Sequence, residues 1–229
     1  MAHEPFDESV EMYLKSICEL ADGAELVPIS ALAQRLAISI VSATEMVHRL
    51  GKRGLVEHTP YKGVALTAEG KLRALRVIRR HRLWEYFLVQ HLGLPWQQVH
   101  DSACQLEHAT TNEVVEALAT YLHEPDTCPH GNPIPSVDGQ MAMPDDCRLC
   151  NWTPGERGTI ARIFPESTLL LDYLAAHDIR PGAPITFDEI APFNGPLLVT
   201  VRDRSLALGR EIAASIYVST MDRRPFKEE

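Results

Sequence analysis

A short segment of the chain, HDSACQLEH, carries four side chains of types that commonly bind metal ions: His100, Cys104, Glu107 and His108. On an α-helix, residues three or four positions apart share a face, so Cys104, Glu107 and His108 would project from one side. The segment either contributes to a metal site or is the polar face of an ordinary helix rich in histidine and glutamate. The rest of the sequence has to decide between these interpretations.

Further candidate ligands lie on two other predicted helices. His81 and Glu85 are one turn apart in a long predicted helix, and Met12 follows Glu11 in the first one. Imidazole, carboxylate, thiolate and thioether together suit a late first-row divalent ion, whereas magnesium and calcium prefer oxygen ligands alone. A lone His-x-x-x-Glu is more often a surface pair, but two ligand-bearing faces on consecutive helices are a more specific signal.

Composition excludes several classes of protein. The chain has 229 residues, of which 45% are hydrophobic and 23% charged, enough for two or three folded units. Neither a transmembrane helix nor a secretory signal is predicted, so we expect a cytoplasmic protein with no membrane partner. Five cysteines, an odd number, favour free thiols or metal ligands over a disulfide framework.

The distribution of charge matters more than its total. The formal net charge is -9, yet the stretch from Glu45 to Arg82 has ten Lys or Arg and only three Glu. A local basic block on an acidic protein is typical of a surface that meets phosphate, although a solvated helix face gives the same pattern.

The segment that leads into this basic block has the pattern of a winged helix-turn-helix, which is two short helices followed by a hairpin. Ser30 can cap a short helix, and Ser39 or Ser42 can cap a second one, with Glu45 placed for a capping box with Ser42. Two strand-like pieces, LVEHT and GVALT, follow around a turn with Lys62 at its tip. We expect Val41 on the inner face of the second helix. The predicted DNA-binding residues are Ser39, Ser42, Thr44, Glu45, His48, Arg49, Lys52 and Lys62.

The remaining chain divides into a helical and a β part. After the DNA-binding domain (1–74) we predict a helical metal-binding and dimerisation domain (75–140), a linker (141–151) and a small SH3-like β-barrel (152–224). A long helix opens at Thr67, a second includes WQQVHDSACQLEHA, and a third is capped by Thr110 with Glu113. Apolar residues on these helices favour a homodimer interface, or equally an intramolecular core.

In order along the chain, ESVEMYLKSICEL, LVEHTPYKGVALTAEGKLRA, RRHRLWEYFL, VHDSACQLEHATTNEVVEAL and CPHGNPIP resemble motifs of the iron-dependent repressor family, the diphtheria-toxin-repressor-like metalloregulators. The resemblance runs nearly end to end. It implies a mainly α fold with a small β part: an N-terminal winged helix-turn-helix, a helical dimerisation domain and a C-terminal SH3-like barrel similar to ferrous-iron-transport A domains.

The resemblance also implies two metal sites per subunit. The primary site would use Met12, Cys104, Glu107 and His108, and the ancillary site His81, Glu85 and His100. Iron-type members add an acidic and an amide ligand from the C-terminal domain. Here Ser167 and Leu170 stand at the matching positions, so Glu166 or Asp172 is the candidate substitute. Glu45 stands where iron-type members tend to carry Gln, so the operator sequence cannot be transferred.

The implied function is a metal-dependent repressor that binds a palindromic operator in double-stranded DNA. Manganese-type members tend to carry carboxylates where this chain has Met12 and Cys104, so softer ligands favour Fe2+ over Mn2+. Zn2+, Co2+ or Ni2+ should substitute in vitro. Without metal, Glu85, Glu107 and Glu11 would crowd negative charge between the helices, and the metal would neutralise it.

A separate pattern lies in the Pro-rich stretch that follows residue 125. Cys128 and His130, followed by Cys147 and Cys150, have the spacing of a tetrahedral structural zinc site. Alternatively, CPHG serves only as a turn.

Two other classes of function compete with a DNA-binding repressor. An enzyme is not expected, because the sequence offers no nucleophile with its base, no phosphate-binding glycine loop and no HExxH, and no small-molecule substrate is implied. A metal-binding accessory or chaperone protein without operator binding is the alternative, and failure to bind duplex DNA in the presence of metal would favour it.

Overall fold

The structure is a computed structural model that describes residues 8–21, 26–142 and 144–220. The chain forms two compact units. Among the described residues, the N-terminal unit comprises 8–21, 26–84, 104–121 and 134–141, and the C-terminal unit comprises 85–103, 122–133, 142 and 144–220. The domain boundaries given above stay a prediction.

The N-terminal unit begins with a winged helix. Its helices are α1 (Glu8–Ala21), α2 (Ile29–Arg35) and α3 (Ile40–Lys52), followed by strands β1 (Val56–Thr59) and β2 (Gly63–Leu66). The two strands pair antiparallel, and Val27 and Val64 exchange backbone hydrogen bonds of 2.9 Å. The helix-turn-helix and wing predicted from the sequence are confirmed.

Apolar spacing on α1 explains the core of this winged helix. Val10, Leu14 and Ile17 recur every three or four residues and are buried with Val47 and Leu50 of α3. The sequence predicts that α1 includes Phe6 and ends near residues 22–23, and both positions lie outside the described residues. Because α1 and α3 share one core, a displacement of α1 would be transmitted to α3.

The caps of α2 and α3 differ from two of the predictions. Pro28 precedes α2 and Ser30 lies within it, so the predicted Ser30 cap is wrong. Ser39 caps α3 by accepting a hydrogen bond from the Ser42 backbone N–H. Ser42 is therefore inside the helix, and its predicted capping box with Glu45 is wrong as well. Proline fixes an extended entry into α2 without any side-chain cap.

Three further helices carry the candidate ligands: α4 (Ala68–Gln90), α5 (His100–Ala109) and α6 (Asn112–Tyr121). Thr67 opens α4 as predicted, since its hydroxyl accepts from the Gly70 N–H and donates to the Gly54 carbonyl. The predicted Thr110 cap is wrong, because Thr111 accepts from the Val114 N–H while the Thr110 hydroxyl donates to the Leu106 carbonyl. Helix α5 starts at His100, later than predicted.

The C-terminal unit contains one antiparallel sheet. Its elements are β3 (Cys147–Arg148), β4 (Arg157–Ile163), α7 (Thr168–Ala176), β5 (Pro184–Ile190), β6 (Leu197–Val201), β7 (Arg204–Leu208), α8 (Arg210–Ser215) and β8 (Ile216–Thr220). The strand order is β3-β8-β4-β5-β6-β7, around a core that includes Ile160, Phe187, Val199 and Val218. The predicted small β domain is confirmed.

A tight loop precedes this sheet and presents Cys128 and His130. The Gly131 N–H donates to the Cys128 carbonyl, and the Ile163 N–H of β4 donates to the His130 carbonyl, both at 2.9 Å. Gly131 has φ +83°, and a Cβ there would lie 2.1 Å from the Ala161 carbonyl oxygen. A Cβ does not fit at this position, so glycine allows the loop to pack closely against β4.

Replacing this glycine should damage the loop and the stability of the C-terminal unit. We expect Gly131→Ala to lower the free energy of unfolding by about 2–3 kcal/mol, because it adds a backbone clash to an unfavourable φ. Gly182→Ala is the matched control: φ is +84°, but no atom lies within 4 Å of the added carbon. It should cost only about 1 kcal/mol. Equal losses in urea denaturation of the two variants would contradict the steric argument.

Candidate metal centres and DNA-binding surface

The first group of candidate ligands surrounds Glu107 in the N-terminal unit. Glu107 lies on α5 and is fully buried. Its Oε2 lies 2.6 Å from Nδ1 of His81 and 2.8 Å from Nζ of Lys15, and its Oε1 lies 3.3 Å from Nε2 of His108. We call this set, with Glu11, Arg80 and Cys104, the Glu107 cluster.

Helix α1 contributes a second carboxylate to the Glu107 cluster. Glu11 Oε2 lies 2.7 Å from His108 Nδ1, and Glu11 Oε1 lies 2.5 Å from the Arg80 guanidinium. With Nδ1 donating to Glu11, the Nε2 atom of His108 is the one that presents a lone pair when the ring is neutral. Nε2 is buried and makes no hydrogen bond to any described residue, although Glu107 Oε1 is near it. This nitrogen could therefore act as a metal ligand.

Charges in the Glu107 cluster are largely balanced. Burial alone would lower the pKa of Lys15, but the charges of Glu107, Glu19 and Cys104 and the hydrogen bond to Glu107 together outweigh it, so the pKa is raised. Burial would raise the pKa of Glu107, yet the hydrogen bond from His81 and the Lys15 charge lower it. Burial would lower the pKa of His108, but Glu11 and Glu107 raise it. The expectation of crowded negative charge is therefore wrong here, because Lys15 and Arg80 compensate Glu107 and Glu11.

The sulfur ligands predicted for the primary site lie on the same helices. Cys104 Sγ is 3.9 Å from His81 Nδ1. Met12 is half-buried on α1, adjacent to Glu11. Lys15 and Arg80 were missed by the sequence argument. Their signal is a cation on the buried face of its helix. That face is known only after the fold has been determined.

A second group of candidate ligands lies in the C-terminal unit. Glu85, Cys128, His130 and Glu166 each offer one ligand atom, and these atoms all lie within 4.8 Å of one another. His130 Nδ1 is 3.2 Å from Glu85 Oε1 and 3.7 Å from Glu166 Oε1, and Cys128 Sγ is 3.9 Å from His130 Nδ1. All four residues are buried. We call this set the Glu85 cluster.

The surroundings of the Glu85 cluster hold its members in place. Asn132 donates hydrogen bonds to Glu166 and to the Ile163 carbonyl, and His130 Nε2 lies 2.9 Å from the Trp96 carbonyl oxygen. His100 Nδ1 lies 3.5 Å from Glu85 Oε1 and 3.8 Å from Glu166 Oε2. Of the two predicted substitutes from the C-terminal domain, Glu166 is in this cluster, and Asp172 is exposed on α7.

Burial and charge act together on the pKa values of Cys128 and His130. Burial raises the pKa of the Cys128 thiol, and the Glu85 charge adds to this effect. Burial would lower the pKa of His130, but Glu85 and the neighbouring acceptors outweigh it, so the pKa lies well above 6.5. The higher pKa favours the imidazolium form of His130 beside these carboxylates, and the ring must lose a proton before it can bind a metal.

The four residues of the predicted zinc site do not lie together. Among the described residues, the group around Cys128 and His130 contains Glu85 and Glu166 but neither Cys147 nor Cys150. Cys147 pairs with Val218 in the sheet, and Cys150 lies in the 3-10 turn of residues 149–151. Glu85 and Glu166, which are distant in sequence, lie beside Cys128 and His130 where the spacing predicted two further thiols.

The predicted DNA-binding residues are accessible on α3 and the wing. Those classed as exposed are Ser39, Ser42, Glu45, His48, Arg49, Lys52 and Lys62; Thr44 is half-buried, and its hydroxyl donates to the Ile40 carbonyl. Val41 was expected on the inner face but is 68% exposed, so that expectation is wrong. Tyr61, at the wing tip with φ +64°, is also fully exposed.

Sequence profiles match nearly the whole chain. Residues 6–64 match the iron dependent repressor N-terminal DNA binding domain, residues 67–136 the iron dependent repressor metal binding and dimerisation domain, and residues 147–220 the FeoA domain. The diphtheria toxin repressor of Corynebacterium efficiens is 38% identical over 226 residues, covering 94% of this chain and 96% of the relative. The chain belongs to the iron-dependent repressor family.

The names of other relatives mention several different metals. The iron-dependent repressor IdeR of Mycobacterium tuberculosis is 31% identical over 92% of this chain and 96% of its own length. A manganese-dependent transcriptional repressor solved in complex with manganese aligns with TM-score 0.86 at 34% identity, covering 93% of this chain and all of that one. ScaR with bound Cd2+ aligns with TM-score 0.84 at 30% identity, over 93% and 99% of the two chains.

Membership of the iron-dependent repressor family establishes the general function. The chain is a metal-dependent, DNA-binding transcriptional repressor that binds divalent metal and carries a dimerisation domain. The family consists of transcriptional repressors. Among the described residues, no helix is both long and apolar enough to span a membrane.

The raised pKa of His130 predicts how stability depends on pH in the metal-free repressor. Its stabilising contribution should be complete below the unfolded value of about 6.5 and be lost as pH rises through the higher folded pKa. Urea denaturation with chelator, from pH 6 to 9, measures this, and His130→Gln should flatten the decline. His177→Gln, in the same unit, controls for the loss of an imidazole. An unchanged pH dependence in His130→Gln would disprove the assignment.

Proposed function

We propose that this repressor senses Fe2+ in preference to Mn2+ and that each subunit binds two ions, one in the Glu107 cluster and one in the Glu85 cluster. The observation that carries the proposal is the Glu85 cluster, in which a thiol, an imidazole and two carboxylates converge in a buried position. Such a donor set suits a late first-row divalent ion, and burying it without a compensating cation is costly.

In the Glu107 cluster the proposed ligands are Cys104, Glu107 and His108 from α5, with Met12 from α1. His81 and Glu11 are within hydrogen-bonding distance of these ligands and would orient them. The proposed ligands of the Glu85 cluster are Glu85, Cys128, His130 and Glu166, with His100 beside them. These ligands share Glu85, His100 and Glu166 with the ancillary site expected from the family resemblance, in which His81 is a further ligand.

The proposed switch works through α1. When bound, the ion supplies positive charge between α1 and α5. Glu107 and His108 would hold it from α5 and Met12 would hold it from α1, and the shared apolar core of α1 and α3 would pass that restraint to the recognition helix. Fixing α3 in each subunit of a homodimer sets the separation of two recognition helices, which a palindromic operator requires.

DNA contact is assigned to α3 and the wing. Arg49, Lys52 and Lys62 are exposed and would neutralise phosphates, while Ser42 and Glu45 are placed on α3 where base edges would pass. Because phosphate contacts release counterions, affinity should fall steeply with salt.

The preference for iron rests on ligand type. Sulfur from Cys104, Met12 and Cys128 is softer than carboxylate oxygen, and softer sites favour iron(II) over manganese(II). Relatives with either metal in their names exist, so the metal must be tested directly. Zn2+, Co2+ and Ni2+ should also load both sites in vitro.

The deciding experiment is retention of a labelled pool of random DNA duplexes by the full-length repressor. We expect retention with Fe2+ under anaerobic conditions at lower metal concentration than with Mn2+, and none with chelator. A lower threshold for Mn2+ would contradict the iron assignment. Retention that survives chelator would make the metal sites structural, and no retention under any condition would favour the accessory-protein alternative.

A pair of glutamate variants tests whether the metal acts through the Glu107 cluster. Glu107→Gln should weaken metal-dependent DNA binding by roughly a hundredfold, the scale expected for damage to a metal site. Glu116→Gln, which removes a half-exposed carboxylate near Arg79, should bind DNA like the parent. Wild-type DNA binding in Glu107→Gln would refute the switch.

The ligands proposed for the Glu85 cluster give a separate prediction about Cys128 and Cys147. Cys128→Ser should lose one of two bound metal equivalents per subunit, because the hydroxyl is a far poorer ligand than a thiolate. Cys147→Ser should retain both. Metal content by mass spectrometry of the loaded protein checks this, and loss of an equivalent from Cys147→Ser would instead support the zinc site of Cys128, His130, Cys147 and Cys150.

A further inference from the structure

The Glu107 cluster contains a lysine in an unusual position. Lys15 projects from α1, and its side chain is only 6% exposed. Its Nζ contacts both oxygens of Glu107, at 2.8 Å and 3.2 Å. Lysine is almost never buried unless it is paired, so this bidentate contact is what allows Lys15 to stay inside the protein.

The contact uses the same oxygens that a metal would need. Oε2 of Glu107 is shared between Lys15 and His81, and Oε1 lies near Lys15 and His108. An ammonium group and a divalent ion on one carboxylate would be held a few ångströms apart, where like charges repel strongly in a buried site. The lysine and the ion therefore exclude each other at Glu107.

We propose that Lys15 is an internal competitor of the metal ion: its ammonium group neutralises Glu107 in the metal-free repressor and leaves that carboxylate when an ion binds. The inference rests on the proposed function, since it takes Glu107 as a metal ligand. Its consequence is a metal threshold set by the chain itself. Part of the energy of binding replaces an existing ion pair, so the site fills only at higher metal concentration.

A second carboxylate is available to Lys15 when an ion displaces it from Glu107. Glu19 lies one turn further along α1, on the same face, and its charge already acts on Lys15. Glu19 now pairs with Arg35 at 2.8 Å, and Arg35 is partly exposed. A released Lys15 side chain can therefore exchange one carboxylate for another by rotating along its own helix.

The test compares Lys15→Met with Arg35→Met. Both substitutions remove a cation that pairs at 2.8 Å with a glutamate, but only the first pair involves a proposed metal ligand. Titration with Mn2+, followed by the electron paramagnetic resonance signal of the free ion, gives the affinity. The binding step absent in Glu107→Gln identifies the Glu107 cluster. We expect Lys15→Met to bind Mn2+ there about tenfold more tightly or better, and Arg35→Met to match the parent.

A second measurement covers the case in which Lys15→Met folds poorly without metal. Losing Lys15 leaves Glu107 buried without its cation, so the metal-free Tm should fall while the rise in Tm on adding Mn2+ becomes larger than in the parent. Lys15→Arg retains the charge and should keep the parental affinity or weaken it. Tightening in Lys15→Arg equal to that in Lys15→Met would overturn the competition, because the charge would then be irrelevant.

The outcomes separate this inference from the proposed function. If the parent repressor binds no Mn2+ at the step that requires Glu107, the proposed metal site itself fails. If the parent binds Mn2+ there but Lys15→Met has the same or weaker affinity and an unchanged rise in Tm, only the competition is overturned.

Discussion

The structure depends on one constraint: a carboxylate that is shut away from water must have a positive partner. Glu107 and Glu85 are fully buried, and Glu11 and Glu166 nearly so. An uncompensated charge in such a place would cost more than a folded domain can easily offset. The metal-free chain meets this constraint with its own cations. Lys15 and Arg80 serve the Glu107 cluster, and a protonated His130 serves the Glu85 cluster. Both clusters are thus built for positive charge and already contain some.

Helix α1 combines two roles that are usually separate. One face, with Val10, Leu14 and Ile17, completes the winged-helix core, while Glu11 and Lys15 reach α5. An amphipathic helix of this kind cannot shift its polar contacts without moving its apolar ones, because core packing is close to crystal density. Any change of charge at Glu107 or Glu11 is therefore felt by the residues that support α3.

Sequence reasoning succeeded where a local pattern was sufficient. The first helix with Glu11 and Met12, the Thr67 cap and the strands flanking the wing all appear as predicted. The predictions were wrong where two nearby residues could each occupy the same helix cap. Pro28 displaced Ser30 and Thr111 displaced Thr110, because caps are chosen by backbone geometry that adjacent residues share. Strand β7 has no clear turn signal before it in the sequence, because its two-residue turn, Arg202 and Asp203, takes positive φ without glycine. The partners of Cys128 were beyond reach, since Glu85 and Glu166 are brought to it only by tertiary structure.

The two clusters differ in what they connect, and this difference bears on their roles. The Glu85 cluster gathers Glu85, the Cys128–His130 loop and Glu166, three distant segments of the C-terminal unit, around a loop that Gly131 fixes against β4. The Glu107 cluster joins α1 to α5 by way of side chains that already form ion pairs. An ion in the first would add bonds to a rigid framework and mainly increase the stability of that unit. An ion in the second would have to exchange existing contacts for new ones on a helix packed against α3. The Glu107 cluster is thus the one whose occupancy can change a conformational equilibrium, because only a ligand that favours one state over another shifts the balance between them.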